Sequence, residues 1–237
     1  EARTMVRTNN TIIAALMVKR READAMICGA TGRYTDHLPH LFKIIGLKKE
    51  VSRAAAMSML IMSKGTYFWV DPYVNPGPSA EQIADITILA AQNIRRFGIV
   101  PKAALLSHSN FGSSNRPTAR KMRDAVKLIR ELDPELQVDG EMHADAALSK
   151  ELRGKLVKDS PLIGAANLLV MPSLDAANIS YNLVRKLADG VAVGPILLGM
   201  KQPAHILAEG VTARGIMNLT AVAVVEAQIE TDGELPL

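Results

Sequence analysis

Three stretches of this chain hold residues of the types that bind or react. The first is Ser107-His108-Ser109-Asn110-Phe111-Gly112-Ser113-Ser114. It follows an apolar segment and precedes a helical pattern. Free backbone amides, small hydroxyls and a helix N-terminus together make an anion site, with Arg116 and Arg120 adding positive charge. The alternative is an ordinary polar strand-to-helix loop. No Gly-Lys-Ser/Thr ends it, so it is not a Walker A loop. The second stretch, Asp139-Gly140-Glu141-Met142-His143-Ala144-Asp145, holds three acids and a histidine. Carboxylates and imidazole bind divalent ions, but an Asp at a helix start caps amides without a metal. The expectation is therefore no metal. The third is Asn178-Ile179-Ser180-Tyr181, with Arg185 and Lys186 further along the same helix. Polar groups on an otherwise apolar helix point to a pocket wall or a subunit contact. The two cations either reach a phosphate or remain ordinary surface charges.

Isolated reactive residues carry less. The single cysteine, Cys28, rules out an intrachain disulfide and fits a reducing compartment. With no activating partner near it in sequence, it is expected to be a buried, inert thiol. His108 and His205 read as lone surface histidines in loops, and His37 and His40 lack ligand spacing to a third residue. Met57, Met59 and Met62 read as core filling.

These residues must be positioned by a fold with a large apolar interior. Of 237 residues, 48 % are hydrophobic and only 4 % aromatic. Such aliphatic-rich content suits strands covered on both faces by helices. The net charge of +4 comes without a basic run interleaved with aromatics, which argues against nucleic acid. Lys19-Arg20-Arg21 ends a helical stretch, where cations are favoured. No apolar run is long enough for a membrane span and no signal peptide pattern opens the chain. A cytoplasmic location is expected. The chain starts at Glu1 in a helix-like pattern, so a piece of a longer protein is expected.

Periodicity predicts helices over 10–23 and 36–45, with a short strand at 25–28 between them. A hairpin is predicted from strands at 56–62 and 66–71. A proline-bearing loop leads to Ser79, which with Gln82 forms a capping box for a helix to about Phe97. Strands at 102–107, 136–140, 166–171 and 191–198 then alternate with helices at 118–132, 143–152, 174–189 and 211–229. Alternation implies parallel pairing with right-handed crossovers. The tail at 231–237 is polar and expected to fray.

Four ordered motifs then stand out. They are Ser107-His108-Ser109, Asp139-Gly140-Glu141-Met142-His143-Ala144-Asp145-Ala146-Ala147, Ala166-Asn167-Leu168-Leu169-Val170-Met171-Pro172 and Gly194-Pro195-Ile196-Leu197-Leu198-Gly199. Together they resemble the phosphate acetyltransferase/butyryltransferase family, over roughly residues 28–228. The wording of Gly140-Glu141-Met142-His143, of Asp175-Ala176-Ala177-Asn178-Ile179-Ser180-Tyr181 and of Asp189-Gly190-Val191-Ala192-Val193-Gly194 is similar to one branch, the C-terminal domain of hybrid NADP-dependent malic enzymes. The resemblance implies a three-layer αβα fold with mostly parallel sheets, isocitrate dehydrogenase-like, in two subdomains. One would comprise residues 1–42 and 198–237, the other 43–197. It also implies acetyl-CoA as ligand, with Ser107, Ser109, Asn110, Gly112, Ser113, Asn178, Tyr181 and Lys186 as its contacts. A family arginine near the nucleotide phosphate of coenzyme A falls on Lys186. That substitution keeps the charge without the bidentate fork.

Departures from the family bear on chemistry. Active members resemble this chain at Lys201-Gln202-Pro203, then carry a serine and an arginine before a glycine. Here those positions are Ala208 and Glu209, before Gly210. A catalytic aspartate falls on Gly215, and a further arginine falls near Pro39. Acyl transfer between thiol and phosphate needs a base, a cation for phosphate and oxyanion donors. Loss of one such donor alone costs about 10²–10³ in rate. The resemblance therefore implies a non-catalytic domain that senses acetyl-CoA and regulates a malic enzyme part of the same chain. That part would use NADP and Mg or Mn to convert malate to pyruvate. A homodimer is expected for this chain and a larger homo-oligomer for a longer one. The rival readings are an active phosphate acetyltransferase or butyryltransferase, and a purely structural dimerisation domain.

Overall fold

The computed structural model describes residues 2–232. In chain order the elements are α1 (Ala2–Thr8), α2 (Asn10–Lys19), β1 (Met26–Gly29), α3 (Tyr34–Ile44), β2 (Ala55–Met62), β3 (Gly65–Val70) and α4 (Ala80–Arg96). There follow β4 (Lys102–Leu106), α5 (Pro117–Leu132), β5 (Gln137–Met142), α6 (Ala144–Leu148), α7 (Lys150–Leu156), β6 (Leu168–Val170), α8 (Leu174–Leu187), β7 (Gly190–Leu198), β8 (Ala204–Leu207) and α9 (Ala213–Asp232). The fold is mixed α/β and mostly parallel. Helix α9 takes in Thr231 and Asp232 of the tail; the rest of the tail, 233–237, lies outside the described residues.

The chain divides into two compact units. One joins the residues up to Ala54 with those from Ala192 onward, and the other runs from Ala55 to Val191. The second division falls at 191/192 in place of 197/198, and the first differs from 42/43 for a local reason. The Lys48 amide donates to the Gly199 carbonyl, the Lys201 amide donates to the Gly46 carbonyl, and Leu47 bridges Met200. These bonds tie residues 46–48 into the first unit.

In the first unit, the Asn9 side chain caps α2 by accepting the Ile12 amide at 3.1 Å. The helix ends at Lys19, short of the expected residue 23, because Arg21 turns left-handed with φ 61°. Ile12, Ala15 and Val18 form its buried face. Strand β1 pairs in parallel with β8, from Met26 beside Ala204 to Gly29 beside Leu207. Sequence periodicity missed β8, since four fully buried residues carry no alternation to read.

Within the second unit the strands lie in the order β5-β4-β6-β3-β2. The predicted hairpin is present: β2 and β3 pair antiparallel, from Met57–Val70 to Met62–Gly65. The Ser79–Gln82 capping box also forms and starts α4. Strands β3, β4 and β6 bury Phe68, Val70, Leu105, Leu168 and Val170 almost completely. Each such side chain contributes about 1.5–3 kcal/mol of burial. The helix predicted at 143–152 is instead two short helices, because Ser149 interrupts it and caps α7 by accepting the Leu152 amide at 3.1 Å.

Candidate ligand site

Parallel strands that stop together gather the loops that follow them. Val70 of β3 and Leu105 of β4 both lie beside Val170 of β6, and Leu106 lies beside Met142 of β5. The segments starting at Asp71, Ser107, Met171 and His143 therefore emerge at one carboxyl edge of the second unit's sheet. Ligands of open parallel sheets sit at such edges. The structure thus brings the 107–114 loop, the 139–145 segment and the start of α8 to the same edge.

The loop itself departs from the expectation of free donors. Ser109 is fully buried, and its hydroxyl donates to Glu141 Oε1 at 2.6 Å while accepting the Ser114 amide at 2.9 Å. The Gly112 amide donates to the same Glu141 oxygen at 3.0 Å. The Asn110 side-chain oxygen accepts the His143 amide at 2.8 Å, and Ser113 Oγ accepts the Asn110 amide at 2.9 Å. Ser109 and Gly112 therefore spend their donors inside the protein, while Ser107 and Asn110 are half-buried and Ser113 is exposed at the rim. His108 is exposed with Nε2 3.2 Å from Ser114 Oγ.

The acids of the second stretch are separated by their partners. Asp139 lies 3.0 Å from Arg130, whereas Glu141 is enclosed by the loop. Among the described residues no group of three or more His, Cys, Asp or Glu side chains is arranged to hold a metal ion.

On α8, Asn178 donates to the Pro72 carbonyl at 3.2 Å and so ties the helix to the loop after β3. Tyr181 is core rather than pocket wall: it is buried, and its ring lies 5.9 Å from that of Trp69. Burial raises its phenol pKa. Lys186 is exposed. So are Ile179, Leu183 and Leu187, one turn apart along the helix. At the start of α8, Lys121 donates to the Pro172 carbonyl at 2.7 Å, and burial lowers its pKa.

Ala208, Glu209 and Gly215 lie in the first unit, after β8. Glu209 is exposed in a turn, and Gly215 is in the first turn of α9, donating its amide to Thr212 Oγ1 at 3.1 Å. A Cβ at Gly215 would stand 2.9 Å from Val211 Cγ2. The reading of His205 as a surface loop residue is corrected: it belongs to β8 and is fully buried. Cys28 is half-buried rather than buried as expected, and desolvation still pushes its thiol up to about 11. His37 is held between Thr11 Oγ1 at 2.7 Å and the Thr31 carbonyl at 3.0 Å. Pro39 lies inside α3. A groove of about 770 Å³, lined by residues such as Ala25, Ile27, Ala223 and Ala227, contains no residue singled out from the sequence.

A family model described as phosphate acetyl/butaryl transferase matches residues 1–224. The chain belongs to the phosphate acetyl/butaryl transferase family. A phosphotransacetylase from Streptococcus pyogenes has the same fold, with a TM-score of 0.85 and 32 % identity, over 92 % of this chain and 67 % of that one. Family relatives with other names are more similar in sequence. An NAD-dependent malic enzyme of Rhizobium meliloti is 56 % identical over 95 % of this chain. An NADP-dependent malic enzyme of Escherichia coli is 50 % identical over 97 % of it. The chain spans only 29 and 30 % of the length of these two relatives.

Two residues of this family member have no role of their own in the sequence reading. Glu141 is grouped there with possible metal ligands, and Arg153 is not singled out. Arg153 is 1 % exposed and donates to Ser160 Oγ and to the carbonyls of Ala146, Ala147, Leu162 and Gly164. The only signal available was the spacing of Glu141 from the serine-rich loop, which sequence alone does not convert into contact.

Proposed function

We propose that this domain binds acetyl-CoA, or a close acyl-CoA, without converting it, and thereby regulates a malic enzyme part of the same polypeptide. The observation that carries this reading is the pairing of Gly215 with Val211. By the resemblance read from the sequence, a catalytic aspartate position of the family falls on Gly215, and a Cβ there would stand 2.9 Å from Val211 Cγ2. By the same resemblance Glu209 stands at an arginine position, and an acid there would oppose a phosphate that needs a cation. Family membership and the names of the malic enzyme relatives support the ligand class and the fusion. Their names mention both NAD and NADP, so the nicotinamide cofactor of the partner part is proposed only as one of these, with Mg or Mn beside it. A ligand regulates such a partner only by preferring one of its conformations.

The exposed row of Ile179, Leu183 and Leu187 supports a homodimer contact through α8. Cytoplasmic residence accords with the lone cysteine, and among the described residues no helix is long and apolar enough to cross a membrane.

Two measurements test the reading. Calorimetry of the chain with acetyl-CoA should give saturable binding, and thiol release from acetyl-CoA with phosphate should remain at background. Robust thiol release would establish the transferase reading instead. Absence of binding, both here and in a polypeptide that includes a malic enzyme part, would leave only a structural role.

A further inference from the structure

The 107–114 loop is built around an anion that the chain supplies itself. Glu141 is fully buried at the end of β5. Its Oε1 accepts the Ser109 hydroxyl at 2.6 Å and the Gly112 amide at 3.0 Å, and its backbone carbonyl accepts the Phe111 amide at 2.7 Å. These bonds hold Phe111 at φ 46°, a region non-glycine residues seldom adopt, beside Gly112 at 90°, which glycine accepts freely. Arg123 closes the far side. Its Nε stands 3.5 Å from Glu141 Oε2, and its Nη2 donates to the Ser114 carbonyl at 3.0 Å. Its Nη1 would lie 3.0 Å from a Cβ at Gly112, so the loop passes directly against the guanidinium.

We propose that Glu141 is a positioning residue whose carboxylate fills the anion nest of this loop and fixes the rim to which acyl-CoA binds. The proposal rests on the acetyl-CoA reading above. It also revises the chemistry of the loop. The donors of Ser109 and Gly112 serve an internal carboxylate, and the ligand meets what that carboxylate presents: Ser107, Asn110 and Ser113. An external phosphate does not enter the nest while Glu141 occupies it.

The test is Glu141→Ala with chemical rescue. The truncation leaves Ser109 and Gly112 donors facing a space the size of a small carboxylate. Acetyl-CoA affinity should fall about tenfold or more, the scale of one orphaned charged hydrogen-bond group, and the melting temperature should fall with it. Formate should restore both in a saturable manner, whereas an equal concentration of chloride should not, and the wild-type chain should respond to neither. Unchanged affinity in Glu141→Ala, or no response to formate, would overturn the proposal. If Glu141→Ala does not fold, Glu141→Gln decides: hydrogen exchange at the Gly112 and Ser114 amides should quicken while β3 and β4 keep their protection. Unchanged exchange there would count against it. If the wild-type chain fails to bind acetyl-CoA, the acetyl-CoA reading falls. The formate response of melting temperature and exchange then judges Glu141 by itself.

Discussion

His205 Nε2 stands 3.1 Å from Glu226 Oε2, in the buried interior of the first unit. On the other side of the ring, Nδ1 accepts the Leu197 amide at 3.2 Å. An accepting Nδ1 places the proton of the neutral imidazole on Nε2. One side chain thus links β7, β8 and α9.

Replacing that ring with a methyl group removes packing and leaves the Leu197 amide unpaired. His205→Ala is expected to cost about 2–5 kcal/mol of unfolding free energy. Glu226→Gln keeps an acceptor facing Nε2 and should cost about 1 kcal/mol or less. Urea unfolding of both variants measures this. A His205→Ala cost no larger than that of Glu226→Gln would show that the histidine does not organise this core.

Arg153 gives a second stability prediction. Its guanidinium joins α6, through the Ala146 and Ala147 carbonyls, to the turn after α7, through the Leu162 and Gly164 carbonyls and the Ser160 hydroxyl. An ammonium has fewer donors and no planar fork. Arg153→Lys is therefore expected to lose about 2–4 kcal/mol, and limited proteolysis should find new cleavage between residues 157 and 164. Wild-type resistance in that segment would mean that the turn is held by its apolar contacts, such as buried Leu162, instead.

What the sequence disclosed follows from the range of the interactions involved. The α4 capping box was readable because Ser79 and Gln82 are three residues apart and bond each other locally. The hairpin was readable because two apolar runs, now β2 and β3, flank the short polar stretch Ser63-Lys64-Gly65. Strand β8 was hidden because its partner is β1, some 177 residues earlier, as the contact between Cys28 and His205 illustrates. The same distance hid the environment of His205. Ser109 and Glu141, 32 residues apart, were each noticed, but only the adjacency of β4 and β5 makes them one structure. The Val211–Gly215 contact is local, yet side-chain direction in the first turn of α9 decides it, and spacing does not give that.

Cys28 predicts a pH response. Its thiol is raised from 9.0 to about 11, chiefly by burial, with a smaller opposing contribution from a hydrogen bond with Thr11. Between those values the folded chain keeps a proton that the unfolded chain releases. The unfolded state then binds fewer protons, so stability falls as pH rises from about 9 to about 11. Two pKa units set an upper bound of roughly 3 kcal/mol on the loss. Cys28→Ala should show a shallower decline over the same range, and iodoacetamide should label the native wild-type thiol far more slowly at pH 9 than the unfolded one. Equal labelling rates would mean that the thiol is open to solvent.

Gly215 and Val211 should be energetically coupled. An aspartate in the first turn of a helix is ordinarily favourable by about 0.3–1 kcal/mol, and replacing a helical glycine adds a similar gain. In this chain the new Cβ would meet Val211 Cγ2 at 2.9 Å, closer than carbon atoms pack. Gly215→Asp alone is thus expected to destabilise by about 1–2 kcal/mol, as overpacking does. In the Val211→Ala background the same change should be neutral or stabilising. The double-mutant cycle should give a coupling of about 1 kcal/mol or more. On the proposed non-catalytic reading, placing serine, arginine and aspartate at 208, 209 and 215 should yield no thiol release while Val211 remains, because the aspartate is not seated. Additive stabilities, or turnover by that triple variant, would show that Val211 imposes no barrier at Gly215.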